Sequence, residues 1–87
     1  MDIKAIVASI ISLERQYSVD WEEIKHVSDM AIKNLNISGE VEQINNDIYH
    51  FLEDYDVRQK SPLYAETQLR AAESWLKDVT PRDEVKS

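Results

Sequence analysis

The sequence predicts an all-α fold, a compact antiparallel bundle of four helices, and three observations carry that expectation. Apolar residues recur at three- and four-residue steps in four separate stretches, which places each set on one helix face. Helix start and stop signals fall between those stretches. One Gly and two Pro in 87 residues supply too few turn formers for a fold of many short strands.

Taken in order, Ile3, Ile6, Val7, Ile10, Leu13 and Tyr17 form the first stripe, widened by Ile11. The stretch "SVDWEE" starts the second helix, with Ser18 or Asp20 as N-cap and Glu23 three residues after Asp20, the spacing of a capping box. Trp21, Ile24, Val27, Ala31 and Leu35 make its apolar face, and "NLNISG" breaks it, because Asn and Gly tolerate the left-handed backbone that ends helices.

Ser38 is read as the cap of the third helix, with Glu40 and Glu42 at its positive N-terminal end. Val41, Ile44, Ile48, Phe51 or Leu52, and Tyr55 then form the cleanest stripe of the chain. "VRQKSP" is expected as a connector, after which Ser61 and Pro62 form an N-cap and first-turn pair. Ala65, Leu69, Ala72, Leu76 and Val79 line the fourth helix, flanked by Tyr64 and Trp75, and Pro81 stops it. Residues 1–80 are thus expected as one helical domain, and 81–87 as a frayed polar tail.

A chain of this length holds one modest core, burying roughly 60–65% of its unfolded surface. Without Cys there is no disulfide, thiolate ligand or Cys nucleophile. The apolar run from Ile6 to Leu13 is preceded only by Lys4 beside Asp2 and followed by no small-residue cleavage site, so it reads as an amphipathic helix of a cytoplasmic protein and not as a signal peptide. It is also far too short to span a bilayer.

Charge is the most informative feature. The net charge is −7, and from Asn34 to Val57 there is no Lys or Arg, while Glu40, Glu42, Asp47, Glu53, Asp54 and Asp56 contribute six negative charges. The rest of the chain carries eleven acids against ten bases, so the excess belongs to one segment. Such a field repels nucleic acid and anionic membrane and steers a basic partner toward the surface.

Chemistry-bearing groupings are few. Asp47, His50 and Asp54 stand at i, i+3 and i+7, and Glu22, His26 and Asp29 form a similar set. A bundle di-metal site needs inward carboxylates from several helices, whereas these residues lie off the core stripes and suit solvated pairing; no metal and no cofactor are expected. Glu53 and Asp54 are adjacent and point about 100° apart, which does not build an acid/base pair across a substrate. With no nucleophile elbow and no Gly-rich phosphate loop, an enzyme is not expected.

Tyr49, Tyr55 and Tyr64 lie near the acids, and Tyr49 falls off the apolar stripe, which favours exposure. Phenols beside a charged rim suit a protein interface. The candidate partner-binding set is therefore Tyr49, Glu53, Asp54, Tyr55 and Asp56. Asp54 or Asp56 as a cap for the helix that follows is the structural alternative.

The chain resembles the small all-helical immunity proteins that bacteria make against their own nuclease toxins, the colicin D immunity type above all. Shared features are chain length, four helices, acidic balance, the third helix "INNDIYHFLEDYD" and the closing helix "LRAAESWLK". The resemblance covers most of the chain and implies that acidic side chains occupy the basic cleft, or an adjoining surface, where the toxin holds nucleic-acid phosphates. Carried onto this sequence, it points to Glu53, Asp54 and Asp56, with Tyr49 and Tyr55 as anchors. The physics agrees, since phosphate contacts oblige a nuclease to be basic where it binds its substrate.

Three functions follow as alternatives. The first is a non-enzymatic toxin inhibitor whose partner is a basic nuclease. The second is a regulatory or adaptor bundle binding another protein through exposed apolar residues, for which Ile11, Met30, Ile32 and Trp75 are the candidates. The third is a homo-oligomer that buries Trp21 or Trp75 between subunits, the oligomeric state itself being open.

Overall fold

A computed structural model describes residues 2–77 of the chain, and among them every regular element is helical. There are five helices and one 3₁₀ turn where the sequence predicts four helices: α1 (Ile3–Glu14), α2 (Trp21–Ser38), the 3₁₀ turn Glu40–Glu42, α3 (Asn46–Glu53), α4 (Tyr55–Lys60) and α5 (Pro62–Lys77). Helix α1 packs against α2 and α5, α3 lies against both α2 and α5, and α4 against α2 and α5. No described helix is long and apolar enough to cross a membrane.

Local signals set most helix starts. The Asp2 carboxylate accepts the amide of Ala5 at 3.2 Å and opens α1. Of the two caps considered for α2, Asp20 serves, accepting the amide of Glu23 at 3.1 Å. Ser61 accepts the amide of Tyr64 at 3.3 Å, and Pro62 begins α5, as the Ser–Pro pair predicts. Expectations for Val79, Pro81 and the tail lie outside the described residues.

The core joins Val7, Ile10 and Ile11 of α1, Ile24, Ala31 and Leu35 of α2, Ile48, Phe51 and Leu52 of α3, and Leu69 and Ala72 of α5. Tyr17 departs from its expected place. Helix α1 stops at Glu14, so the heptad-like step that would have carried Tyr17 inward no longer applies, and its side chain is fully exposed.

The third predicted helix is corrected at both ends. Ser38 does not begin it; Ser38 is the last residue of α2, which Gly39 closes with φ +81°, a left-handed conformation that suits Gly. The Ser38 hydroxyl accepts the amide of Glu40 at the start of the 3₁₀ turn, whose cap residue is Gly39. The cap of α3 is Asn45, whose side-chain oxygen accepts the amides of Asp47 (2.8 Å) and Ile48 (3.3 Å). Val41 and Ile44 still pack against the core, so the apolar stripe runs across a backbone break that periodicity does not register.

At the other end, Tyr55 opens a new helix and "VRQKSP" is not a connector. Asp54 is the junction: its amide donates to the His50 carbonyl (2.9 Å), closing α3, while its own carbonyl accepts the amide of Arg58 (3.0 Å), opening α4. Helix α4 is short and charged, and the residue it buries is Arg58, 1% exposed. A reading based on apolar spacing passes over such a turn.

Candidate functional site

The acidic segment begins at the 3₁₀ turn, runs along α3 and ends in α4. Helices α3 and α4 both lie against α2 and α5, so the polar residues of α3, α4 and their junction divide between two sides. Toward α2, the Tyr49 hydroxyl accepts from the Asn36 amide (3.4 Å), and the Tyr55 hydroxyl donates to Asp29 Oδ1 (3.2 Å). Both tyrosines are half-buried against the core, so Tyr49 is less exposed than its place off the stripe suggests. Burial first, and then the hydrogen bond to Asp29, push the Tyr55 phenol above its ordinary pKa. The same Asp29 pairs with Lys25 at 3.0 Å.

Toward α5, the Asp54 carboxylate faces a cleft of about 360 Å³. Its Oδ2 accepts the Tyr64 hydroxyl at 2.8 Å and the Gln68 amide at 3.1 Å. The hydrogen bond to Asp54 is the leading cause that raises the Tyr64 pKa. Asp47 and His50 line the same cleft, with Trp75 and Ala72 of α5 opposite. His50 Nδ1 lies 3.0 Å from Glu53 Oε1. Asp47, His50 and Asp54, the i, i+3, i+7 set of the sequence, therefore do share one face. Among the described residues, however, no group of three or more His, Cys, Asp or Glu side chains is arranged to hold a metal ion.

Asp56 is exposed, and its carboxylate accepts the amide of Val57 at 2.9 Å. The five candidate residues thus do not form one patch: Tyr49 and Tyr55 bond to α2, Asp54 faces α5, and Glu53 and Asp56 are solvent-exposed. Within a single long helix, three acids at the C-terminal end would oppose the helix dipole. In the observed fold Asp56 sits in the first turn of α4, where negative charge is favourable.

Beneath the acids lies Arg58. Its Nε donates to Glu14 Oε2 (2.8 Å) and Oε1 (3.1 Å), and its Nη1 to the Phe51 carbonyl and to Gln68 Oε1 (2.7 Å). Nη2 is within 2.8 Å of Glu14 Oε2, close enough for a charge contact but not aligned as a hydrogen bond. The guanidinium also lies over the Phe51 ring, 4.1 Å from its centroid. Gln68 ties this buried ion pair to the Asp54–Tyr64 pair at the surface. Sequence reasoning missed Arg58, Gln68 and Trp75 as parts of this region. Only Trp75 carried a signal, as an aromatic flanking the apolar face of the last helix.

Comparison with known proteins finds no matching family, no matching curated protein and no matching solved structure.

Proposed function

We propose that this protein is a non-enzymatic inhibitor that binds a basic protein, a nuclease toxin by preference, through the acidic surface of residues 40–56, and that it acts in the cytoplasm. One observation carries the reading. The six acids between Asn34 and Val57 have no base among them, and the first base that follows, Arg58, is buried and bonded to Glu14. The Arg58–Glu14 pair is buried and neutral as a unit, so it leaves the one-sided field of the six acids unchanged. Such a field raises the association rate of a basic partner and weakens with salt.

The likeness to colicin D-type immunity proteins supports the same reading, with carboxylates on a helical frame competing for a cationic cleft that otherwise holds phosphates. In this view α3 and α4 together stand for the third helix of an antiparallel four-helix bundle. Tyr49 and Tyr55 would then serve at the edge of the interface through their outward atoms, and Glu53, Asp54 and Asp56 as its charged contacts.

An adaptor function draws support from a different set of residues than the sequence offered. Of Ile11, Met30, Ile32 and Trp75, only Met30 is exposed, whereas Ile37 and Leu63 are 74% and 83% exposed.

The test is co-expression with the protein encoded immediately beside the gene. Protection from its toxicity, and loss of protection with Glu53→Lys plus Asp56→Lys, is the expected result. A neighbour that is neither basic nor toxic, or protection that survives the charge reversal but fails with Ile37→Ser or Leu63→Ser, would overturn the inhibitor reading.

A further inference from the structure

The cleft between α3 and α5 continues past Trp75. A second hollow of about 460 Å³, bounded by Ile3, Leu35, Glu40 and Ile44, shares Asn45 and Trp75 with the first as lining residues. The two make one groove that passes the Trp75 indole. Its accessible apolar parts are Ile44, Ala71 and Trp75, over the buried Ile48 and Phe51, and its acids are Glu40, Asp47 and Asp54. Among the described residues, no Lys or Arg lines either half.

The indole already holds a cation. The Lys4 ammonium lies 4.4 Å from its ring centroid, a contact that the negative face of the ring favours. Lys4 is exposed and belongs to α1, and its positive charge lies against a side chain that lines both hollows.

We propose that this groove docks a short amphipathic basic segment of a partner protein, its apolar side chain against Trp75 and Ile44 and its Lys or Arg side chains at Asp47, Asp54 and Glu40. The proposal rests on the reading that the partner is basic. Charge complementarity selects this occupant. A second copy of the chain would bring its own net charge of −7 to an acidic rim, and a phosphate backbone would meet the same repulsion. Long basic side chains suit the site because their alkyl stems cover apolar surface while the charged heads stay at the rim.

The experiment uses the full chain carrying Trp21→Phe, which leaves Trp75 as the sole tryptophan. Its fluorescence is followed while a synthetic lysine–leucine peptide is added, with a glutamate–leucine peptide of equal length as control. A saturable change with the lysine peptide alone, weakened roughly tenfold or more by raising salt, is expected. Ala71→Arg and Thr67→Arg, at exposed groove positions, should abolish the change, and Lys4→Gln should tighten binding severalfold. The absence of a saturable change overturns the proposal. So does a change that appears only after residues 78–87 are deleted, which would make the chain's own tail the occupant. Binding that is indifferent to Ala71→Arg, or a basic toxin still neutralised by that variant, overturns the groove alone and leaves the inhibitor reading intact. Failure to bind any basic protein removes both.

Discussion

Arg58 and Glu14, 44 residues apart in the chain, form an ion pair sealed from solvent, with side chains 0% and 2% exposed and a shortest hydrogen bond of 2.8 Å. The pair joins the short helix α4 to the end of α1. Burial of two charges is expensive, and the attraction between them offsets this only while both partners are present.

Removing one partner should therefore be far worse than removing both. Arg58→Met is expected to destabilise by about 3–5 kcal/mol, because it leaves the Glu14 carboxylate buried without a countercharge. Arg58→Met combined with Glu14→Leu should recover most of that loss. Urea denaturation of the single and double variants measures the difference. Additive losses would show that the two side chains act independently.

The Glu14 carboxyl also predicts a pH dependence. Burial raises its pKa, and the opposing influence of Arg58 is smaller. A carboxyl whose pKa is higher folded than unfolded binds protons more readily in the fold, so its contribution to stability grows as pH falls through the folded pKa toward the unfolded one. The stability of the native chain relative to Glu14→Gln should accordingly increase as pH is lowered from neutrality through that window. Denaturation midpoints at a series of pH values decide it. A relative stability that falls instead would mean that the attraction of Arg58 outweighs burial.

Leu52 is fully buried in the core, whereas Asp47 is exposed on the same helix. Leu52→Ala should destabilise by about 2–5 kcal/mol, as buried leucine truncations do. Asp47→Ala should stay within about 0.5 kcal/mol. Equal losses from the two, measured by chemical denaturation, would contradict the observed placement of α3.

Neighbouring acids should behave differently. Asp54 accepts hydrogen bonds from Tyr64 and Gln68, so Asp54→Ala is expected to cost about 1.5–3 kcal/mol, the range for bonds to a charged acceptor. Glu53, exposed and bonded among the described residues to the exposed His50 alone, should tolerate Glu53→Lys with a change within about 0.5 kcal/mol. Thermal melts of both variants provide the check. A Glu53→Lys variant that melts as early as Asp54→Ala would assign Glu53 a structural role as well.

What the sequence by itself determined was the short-range part of this protein. Caps act over three residues, so Asp20 and the Ser61–Pro62 pair marked helix starts, and Gly39 marked an end. Apolar spacing acts over one or two turns, so the faces through Ile24 and Leu35, and through Ile48 and Leu52, were legible. The acidic segment could be counted directly.

Tertiary structure decided the rest. Periodicity records which residues face the core and not whether the backbone between them is continuous, so the interruption between Gly39 and Asn45 left no mark in the stripe. Spacing says nothing of which neighbour covers the remaining faces of α3, α4 and their junction, and that choice sends Tyr49 and Tyr55 to α2 and Asp54 to α5. Arg58 is the clearest instance. A guanidinium is buried only where an opposite charge and further acceptors await it, and those come from Glu14, Phe51 and Gln68 on three other helices, brought together by folding alone.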